Sequence, residues 1–187
     1  MLLLVDNNDS FTYNIVEAIR SVSNVPIVVK NSADIQIEEV EQYQMIIFSP
    51  GPSLPDDYPI MKQILNQYCA TIPILGICLG HQAICSYFGA QLVQSDSIIH
   101  GFDSLIQTNS QSLLFKGVSE MIVGRYHSWH AIQIPESLSI TAQDKYGIVM
   151  AVEHKHYPVY SVQFHPESYI TKQGKQIFKN FIDAATS

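Results

Sequence analysis

The sequence predicts an α/β fold: a mostly parallel central sheet flanked by helices, with a smaller antiparallel extension in the C-terminal half. Three observations carry this expectation. Short runs rich in Val, Ile and Leu recur at 2-LLLV-5, 26-PIVV-29, 45-MIIF-48 and 72-IPILGI-77. Runs this apolar read as strands buried on both faces, as in a parallel sheet. Helical stripes lie between several of them, the alternation that defines α/β architecture. In the second half the pattern changes to short alternating runs without long helices, which suggests hairpins.

The elements follow in order. The start, MLLLVDNNDS, turns polar at Asp6 and has no basic leader, so it reads as a buried first strand and not as a secretory signal. Ser10 is the expected N-cap of a first helix, whose apolar stripe is Phe11, Ile15, Ala18 and Ile19. Pro59 opens a second helix carrying Ile60, Ile64, Leu65 and Tyr68. A third helix follows Gly80. The runs 121-MIVGRYHSW-129, 138-LSITA-142, 148-IVMAVEH-154 and 159-VYSVQFH-165 form the antiparallel extension. A last helix, about Thr171 to Ala184, carries Ile177, Phe178, Phe181 and Ile182. The segments Pro50–Pro59 and Ser95–Gly117 read as irregular.

The 187 residues fit one domain spanning 1–187, with no repeat or linker. They are 47% hydrophobic and 14% charged, below the ~25% charged content usual in globular domains, so one sizeable core is expected. Net charge is −7, and the ten Lys and Arg residues form no run, which argues against nucleic-acid binding. No apolar stretch approaches the ~18 residues of a membrane span. The three cysteines, Cys69, Cys78 and Cys85, have no paired-metal spacing; a reducing, cytoplasmic setting is the expectation. Neither His127/His130 nor His154/His156 is completed by a Cys or acid cluster, so no metal is expected.

Three motifs carry chemistry. Gly76-Ile77-Cys78-Leu79-Gly80 has the form of a nucleophile elbow with Cys at its centre. In such a strand-to-helix turn the nucleophile is strained, and small residues two positions away keep backbone and sheet apart. A helix N-terminus presents free N–H groups and a favourable dipole to a thiolate, and the N–H of Leu79 is placed to donate to an oxyanion. Taken alone, the turn fits an inert buried Cys equally well. A Cys nucleophile needs a base, and the base an orienting group. The segment 162-VQFHPES-168 supplies His165 at a strand end, with Glu167 two residues on and Pro166 stiffening the turn. The third motif, 49-SPGPSLPDD-57, is a rigid loop after a strand, where Gly51 lets backbone approach a ligand.

Together SPGP, GICLGHQ and FHPES, in this order, resemble the class I glutamine amidotransferases of the Cys-His-Glu triad type. The opening 5-VDNNDSFTYN-14 and 100-HG-101 resemble, more narrowly, the small glutaminase subunits of chorismate-using enzymes, anthranilate synthase component II and aminodeoxychorismate synthase component II. The resemblance spans nearly the whole chain. It implies that Cys78 attacks the side-chain amide of L-glutamine, that His165 moves the proton and that Glu167 orients His165. It further implies an oxyanion hole from Gly51 and Leu79, and glutamine contacts at Gly51, Pro52, Ser53, Gln82, Ser128 and Trp129. No cofactor is implied, and the ammonia would pass to a chorismate-binding synthase subunit. The chain departs from the family at Ser53, where Gly is frequent, at Phe102, where Lys is frequent, and at Trp129, where Leu is usual. A non-Gly residue at 53 leans toward aminodeoxychorismate synthase, although one subunit can serve both pathways. Another biosynthetic amidotransferase, a γ-glutamyl hydrolase and a non-enzymatic interaction subunit stay as rival readings. The intact Cys78, His165 and Glu167 argue against the last.

Overall fold

The computed structural model describes residues 1–95 and 102–186. Among them, nine strands form one sheet and two strands a second, smaller one. The first half supplies β1 (Leu2–Asp6), α1 (Thr12–Arg20), β2 (Ile27–Asn31), β3 (Met45–Phe48), α2 (Pro59–Tyr68), β4 (Ile74–Ile77) and α3 (Leu79–Tyr87). The second half supplies β5 (Gln91–Gln94), β6 (Phe102–Thr108), β7 (Glu120–Arg125), β8 (Trp129–Ile132), β9 (Leu138–Asp144), β10 (Val149–His154), β11 (Val159–Val162) and α4 (Gly174–Ala185). The large sheet runs β2-β1-β3-β4-β11-β10-β9-β6-β7, and β5 pairs with β8 apart from it. Strands β2, β1, β3, β4 and β11 are parallel; β11 through β7 are antiparallel, with hairpins at β10–β11, β9–β10 and β6–β7 and a non-local pairing of β9 with β6.

Strands β1, β3 and β4 are apolar because both faces are covered; β2, expected to be buried likewise, lies at the sheet edge and is half-buried along its length. In β1, Leu2 and Leu4 point to one side, into a core with Ile15 and Ile19 of α1 and Phe178 and Phe181 of α4. Leu3 and Val5 point to the other, into a core with Ile64 and Leu65 of α2 and Ile84 of α3. The two-residue strand period thus divides one run between two layers. All four side chains are fully buried.

Several expectations are corrected. The N-cap of α1 is Phe11 and not Ser10. No side chain caps the helix; Asp9 takes the Phe11 N–H at 2.7 Å and Asp6 takes the Thr12 hydroxyl at 2.8 Å, which hold the turn leading into it. Helix α3 begins at Leu79 and includes Gly80, and α4 begins at Gly174, three residues later than expected. The segment 95–117 is not wholly irregular, because β6 lies within it. The run 121–129 is split: β7 ends at Arg125, and Trp129 opens β8 in the other sheet. His100 and Gly101, and the side chain of Phe102, lie outside the described residues.

Candidate active site

The site lies at the carboxyl ends of β3, β4 and β11, where open α/β sheets form their ligand crevice. Cys78 joins β4 to α3 with φ 52° and ψ −98°. A side chain held at such positive φ stores roughly 1–3 kcal/mol of strain, so the surroundings must impose it. The Cys78 N–H donates to the Val162 carbonyl at 2.9 Å, and the Cys78 carbonyl accepts from the Gln82 N–H at 3.0 Å. The flanking glycines make the turn sterically possible. A Cβ on Gly76 would lie 2.4 Å from the Gly80 carbonyl oxygen, and one on Gly80 would lie 2.7 Å from Cβ of Phe48 in β3. Real Cβ contacts are not that short, so α3 sits directly on the sheet only because both positions lack a side chain.

His165 follows β11. Its N–H donates to the Gly124 carbonyl at 3.1 Å, and its carbonyl accepts the Thr171 hydroxyl at 2.7 Å, so both peptide faces are fixed. Nδ1 lies 2.6 Å from Oε1 of Glu167, and both side chains are almost fully buried. A carboxylate there holds the proton on Nδ1 and frees Nε2 to accept one. Among the described residues Nε2 has no hydrogen-bond partner. Burial works against a charged ring, but the Glu167 carboxylate and the nearby Cys78 sulfur outweigh it and raise the His165 pKa well above its ordinary value. Phe11 and Tyr126 wall the imidazole, with ring centroids 5.3 and 4.9 Å away in edge-on contact.

The loop after β3 is anchored from beneath by Asn7. Its backbone N–H donates to Ser49 Oγ at 2.9 Å and its side-chain amide to the Ser49 carbonyl at 3.0 Å. A Cβ on Gly51 would be 2.7 Å from both the Asn7 carbonyl oxygen and a Leu79 methyl, so only glycine brings this loop against α3. Ser53 has φ 68°, a conformation glycine adopts without strain. Among the described residues, the N–H groups of Gly51 and Leu79 have no protein acceptor.

These parts enclose a cavity of about 290 Å³. Of the residues singled out from the sequence, Gly51, Pro52, Ser53, Cys78, Leu79, Gln82, Ser128 and Trp129 line it. His165 and Glu167 lie behind Cys78, buried and outside the lining. Gln94 and Tyr126 also line the cavity and were not singled out; His127, weighed from the sequence only as half of a metal pair, lines it too. Gln163, fully buried, points its amide at Cys78 Sγ across 3.8 Å and was also missed, as were Asn7 and Phe11. Only long-range pairing places these residues, so no local pattern marks them. No group of three or more His, Cys, Asp or Glu side chains among the described residues is arranged to hold a metal. No helix there is long and apolar enough to cross a membrane.

Comparison with known proteins gives a consistent picture. The family model of the class-I glutamine amidotransferases matches residues 3–185. A Haemophilus influenzae protein provisionally named anthranilate synthase component II is 42% identical over 184 residues, covering 97% of this chain and 95% of the relative. The aminodeoxychorismate/anthranilate synthase component 2 of Bacillus subtilis is 40% identical over 190 residues, covering 98% and 96%. Among solved structures, a candidate GMP synthase subunit from Thermoplasma acidophilum superposes with a TM-score of 0.89 at 27% identity, covering 99% of this chain and 93% of that one.

Proposed function

The chain belongs to the class I glutamine amidotransferases, and on that premise we propose that it is the glutaminase component of a chorismate-using synthase, with Cys78, His165 and Glu167 as its catalytic triad. The observation that carries this reading is a strained cysteine in the wall of a small cavity, backed by a buried His–Glu pair with a free Nε2. In the proposed reaction the Cys78 sulfur attacks the side-chain amide carbon of glutamine, and His165 Nε2 takes the thiol proton. The N–H groups of Gly51 and Leu79 stabilise the resulting oxyanion. The intermediate collapses, the C–N bond breaks, and His165 returns the proton to departing ammonia. Water then attacks the γ-glutamyl thioester, with His165 as base, to give glutamate and free thiol. Ser128 and Trp129 would hold the glutamine α-carboxylate and amino group through their backbone, with Pro52, Ser53 and Gln82 completing the pocket. The ammonia would pass to a chorismate-binding partner.

The names carried by the relatives at about 40% identity favour this pathway over that of the structural neighbour at 27%. The test is to assemble the chain with a chorismate-binding synthase, supply chorismate and glutamine, and identify the product. An amino-substituted product of chorismate, either anthranilate or aminodeoxychorismate, that requires both chains is expected. Hydrolysis of γ-glutamyl peptides with no synthase stimulated would assign the site to a hydrolase instead.

A pH prediction follows from the His–Glu pair. Glu167 is what raises His165 against burial, so replacing it by Gln removes a negative charge and lowers the proton affinity of the ring. The Cys–His pair titrates as a unit, and kcat/KM for glutamine falls on the acid side as that unit gains its second proton. In Glu167→Gln this acid limb should therefore move to lower pH, while the plateau drops by roughly 10²-fold or more as orientation is lost. A variant with wild-type plateau and an unmoved limb removes Glu167 from the mechanism.

A further inference from the structure

Ser128 and Trp129 are read here as offering glutamine only their backbone, so something else must fix the orientation of those peptides. We infer that Asp144, Arg125 and His127 form a positioning relay that locks the Trp129 carbonyl and so shapes the glutamine side of the cavity; the inference rests on the function proposed above.

The relay starts at the β9–β10 turn. Oδ1 of Asp144 accepts the N–H groups of Tyr146 and Ile148, each at 2.9 Å, which pins the carboxylate to the turn. Oδ2 accepts from Arg125 Nη1 at 2.7 Å. Arg125, at the end of β7, donates through Nε to His127 Nε2 at 3.1 Å. A guanidinium is always a donor, so Nε2 must be the accepting nitrogen and the proton of the neutral ring must sit on Nδ1. Nδ1 then donates to the Trp129 carbonyl at 2.9 Å. The same carbonyl accepts from Gln82 Nε2 at 3.0 Å. Two donors from opposite elements, the β7–β8 connection and α3, thus fix one carbonyl. The adjoining peptide is held separately, its Ser128 carbonyl accepting the Ser95 N–H at 2.7 Å.

Three side chains of this kind are an expensive way to build a core. Arg125, His127 and Asp144 are 3%, 3% and 7% exposed. A buried ion pair of similar volume to an apolar cluster is often no more stabilising than that cluster. The geometry delivers instead a histidine with a single tautomer, aimed at one carbonyl of the pocket. Burial and the Arg125 charge hold the His127 pKa at about 3, so the ring stays neutral, although His127 lines the same cavity as Cys78. His127 therefore positions and does not carry the reaction's protons.

The test reads glutamine binding directly by calorimetry, in a Cys78→Ser background that does not turn over. His127→Ala should weaken L-glutamine binding by about 10-fold, the scale of losing a buried hydrogen bond and loosening its carbonyl. His127→Asn places an amide N–H near the position of Nδ1 and should recover binding to within about threefold of the parent. Asp144→Asn should weaken binding less than His127→Ala, since Arg125 keeps one acceptor. In the complex with otherwise native sequence, His127→Ala should raise KM for glutamine with the acid limb of kcat/KM unmoved. Equal binding by His127→Ala and its parent overturns the relay. So does failure of His127→Asn to recover binding in a protein with wild-type thermal unfolding, and a shifted acid limb would make His127 a proton carrier. If the parent itself binds no glutamine, the functional reading falls and the relay falls with it.

Discussion

Replacing Cys78 by Ser is expected to abolish glutamine-dependent synthesis by the complex and to leave ammonium-dependent synthesis intact. The two halves of this result come from different places. Ammonia production needs the sulfur; ammonia use belongs to the partner that binds chorismate. Ser has the same Cβ and fits the backbone at φ 52°, so the elbow, the Gln163 contact and the cavity survive the change. What goes is a group able to act as a good nucleophile near neutral pH, since a hydroxyl is far less acidic than a thiol. Loss of a triad nucleophile costs on the order of 10⁴–10⁶ in kcat in related chemistry, and the oxyanion hole retains only a small remainder. Cys69→Ser and Cys85→Ser are the controls. Cys85 is fully buried against His81, and burial pushes its thiol far above the usual range. Cys69 is also raised by burial, at the end of α2. Neither lines the cavity, so activity per folded molecule should persist. Full glutamine-dependent activity in Cys78→Ser would take the nucleophile away from Cys78.

The elbow, the His–Glu turn and the Pro-Gly-Pro loop were legible because each is local. Gly76 and Gly80 lie two residues from Cys78, and Glu167 lies two from His165, so spacing alone expresses the geometry. The parallel half was legible for a related reason: the apolar residues of β1, β3 and β4 are all buried, and an unbroken apolar run has few other readings. Strand β6 was not, because half of its signal faces outward. Leu105 is 54% exposed opposite Ile122 of β7, also 52% exposed, while Ile106 alone among its apolar side chains described is fully buried. The α1 cap was missed because the helix starts one residue later than the serine suggests, after a turn held by Asp6 and Asp9, and Phe11 caps it without a side-chain bond. Arg125 and Asp144 are 19 residues apart and Asn7 and Ser49 are 42 apart, so their pairing exists only once the sheet has formed. The departures from the family take on physical meaning here. Ser53 sits at positive φ, where glycine is the easy choice, and Trp129 uses its carbonyl, which any side chain leaves in place.

The isolated chain should be a poor glutaminase, with turnover roughly 10²–10³ below that of the complex with its synthase and chorismate. The argument starts from the oxyanion hole. One donor, Leu79, is the first residue of a helix packed on the sheet through Gly80, and has little freedom. The other, Gly51, is in a loop whose next two residues, Pro52 and Ser53, are exposed. Asn7 anchors that loop at Ser49, two residues before the donor, and the Ser49 hydroxyl in turn donates to the Pro50 carbonyl at 2.6 Å; beyond it the next side-chain tie is the Asp57 carboxylate on the Leu54 N–H at 3.2 Å. Between those ties lies the strained Ser53, whose φ of 68° is costly enough to make an alternative peptide orientation competitive. A peptide flip at Pro50–Gly51 would exchange the Ser49 hydroxyl's bond to the Pro50 carbonyl for relief at Ser53 and turn one donor away, and losing one such donor raises the barrier by about 3–4 kcal/mol. A synthase pressing on Pro52 and Ser53 would favour the productive orientation only by binding it more tightly than the idle one, and a difference of that size covers the expected range. Ser53→Gly separates this loop from other routes to activation: by relieving the strain in the productive arrangement it should raise the turnover of the isolated chain and narrow its gap to the complex. The measurement is kcat for glutamine hydrolysis with and without the synthase and chorismate, for both proteins. Equal turnover in the two conditions makes the chain a constitutive glutaminase; a wide gap untouched by Ser53→Gly places the switch elsewhere than in this loop.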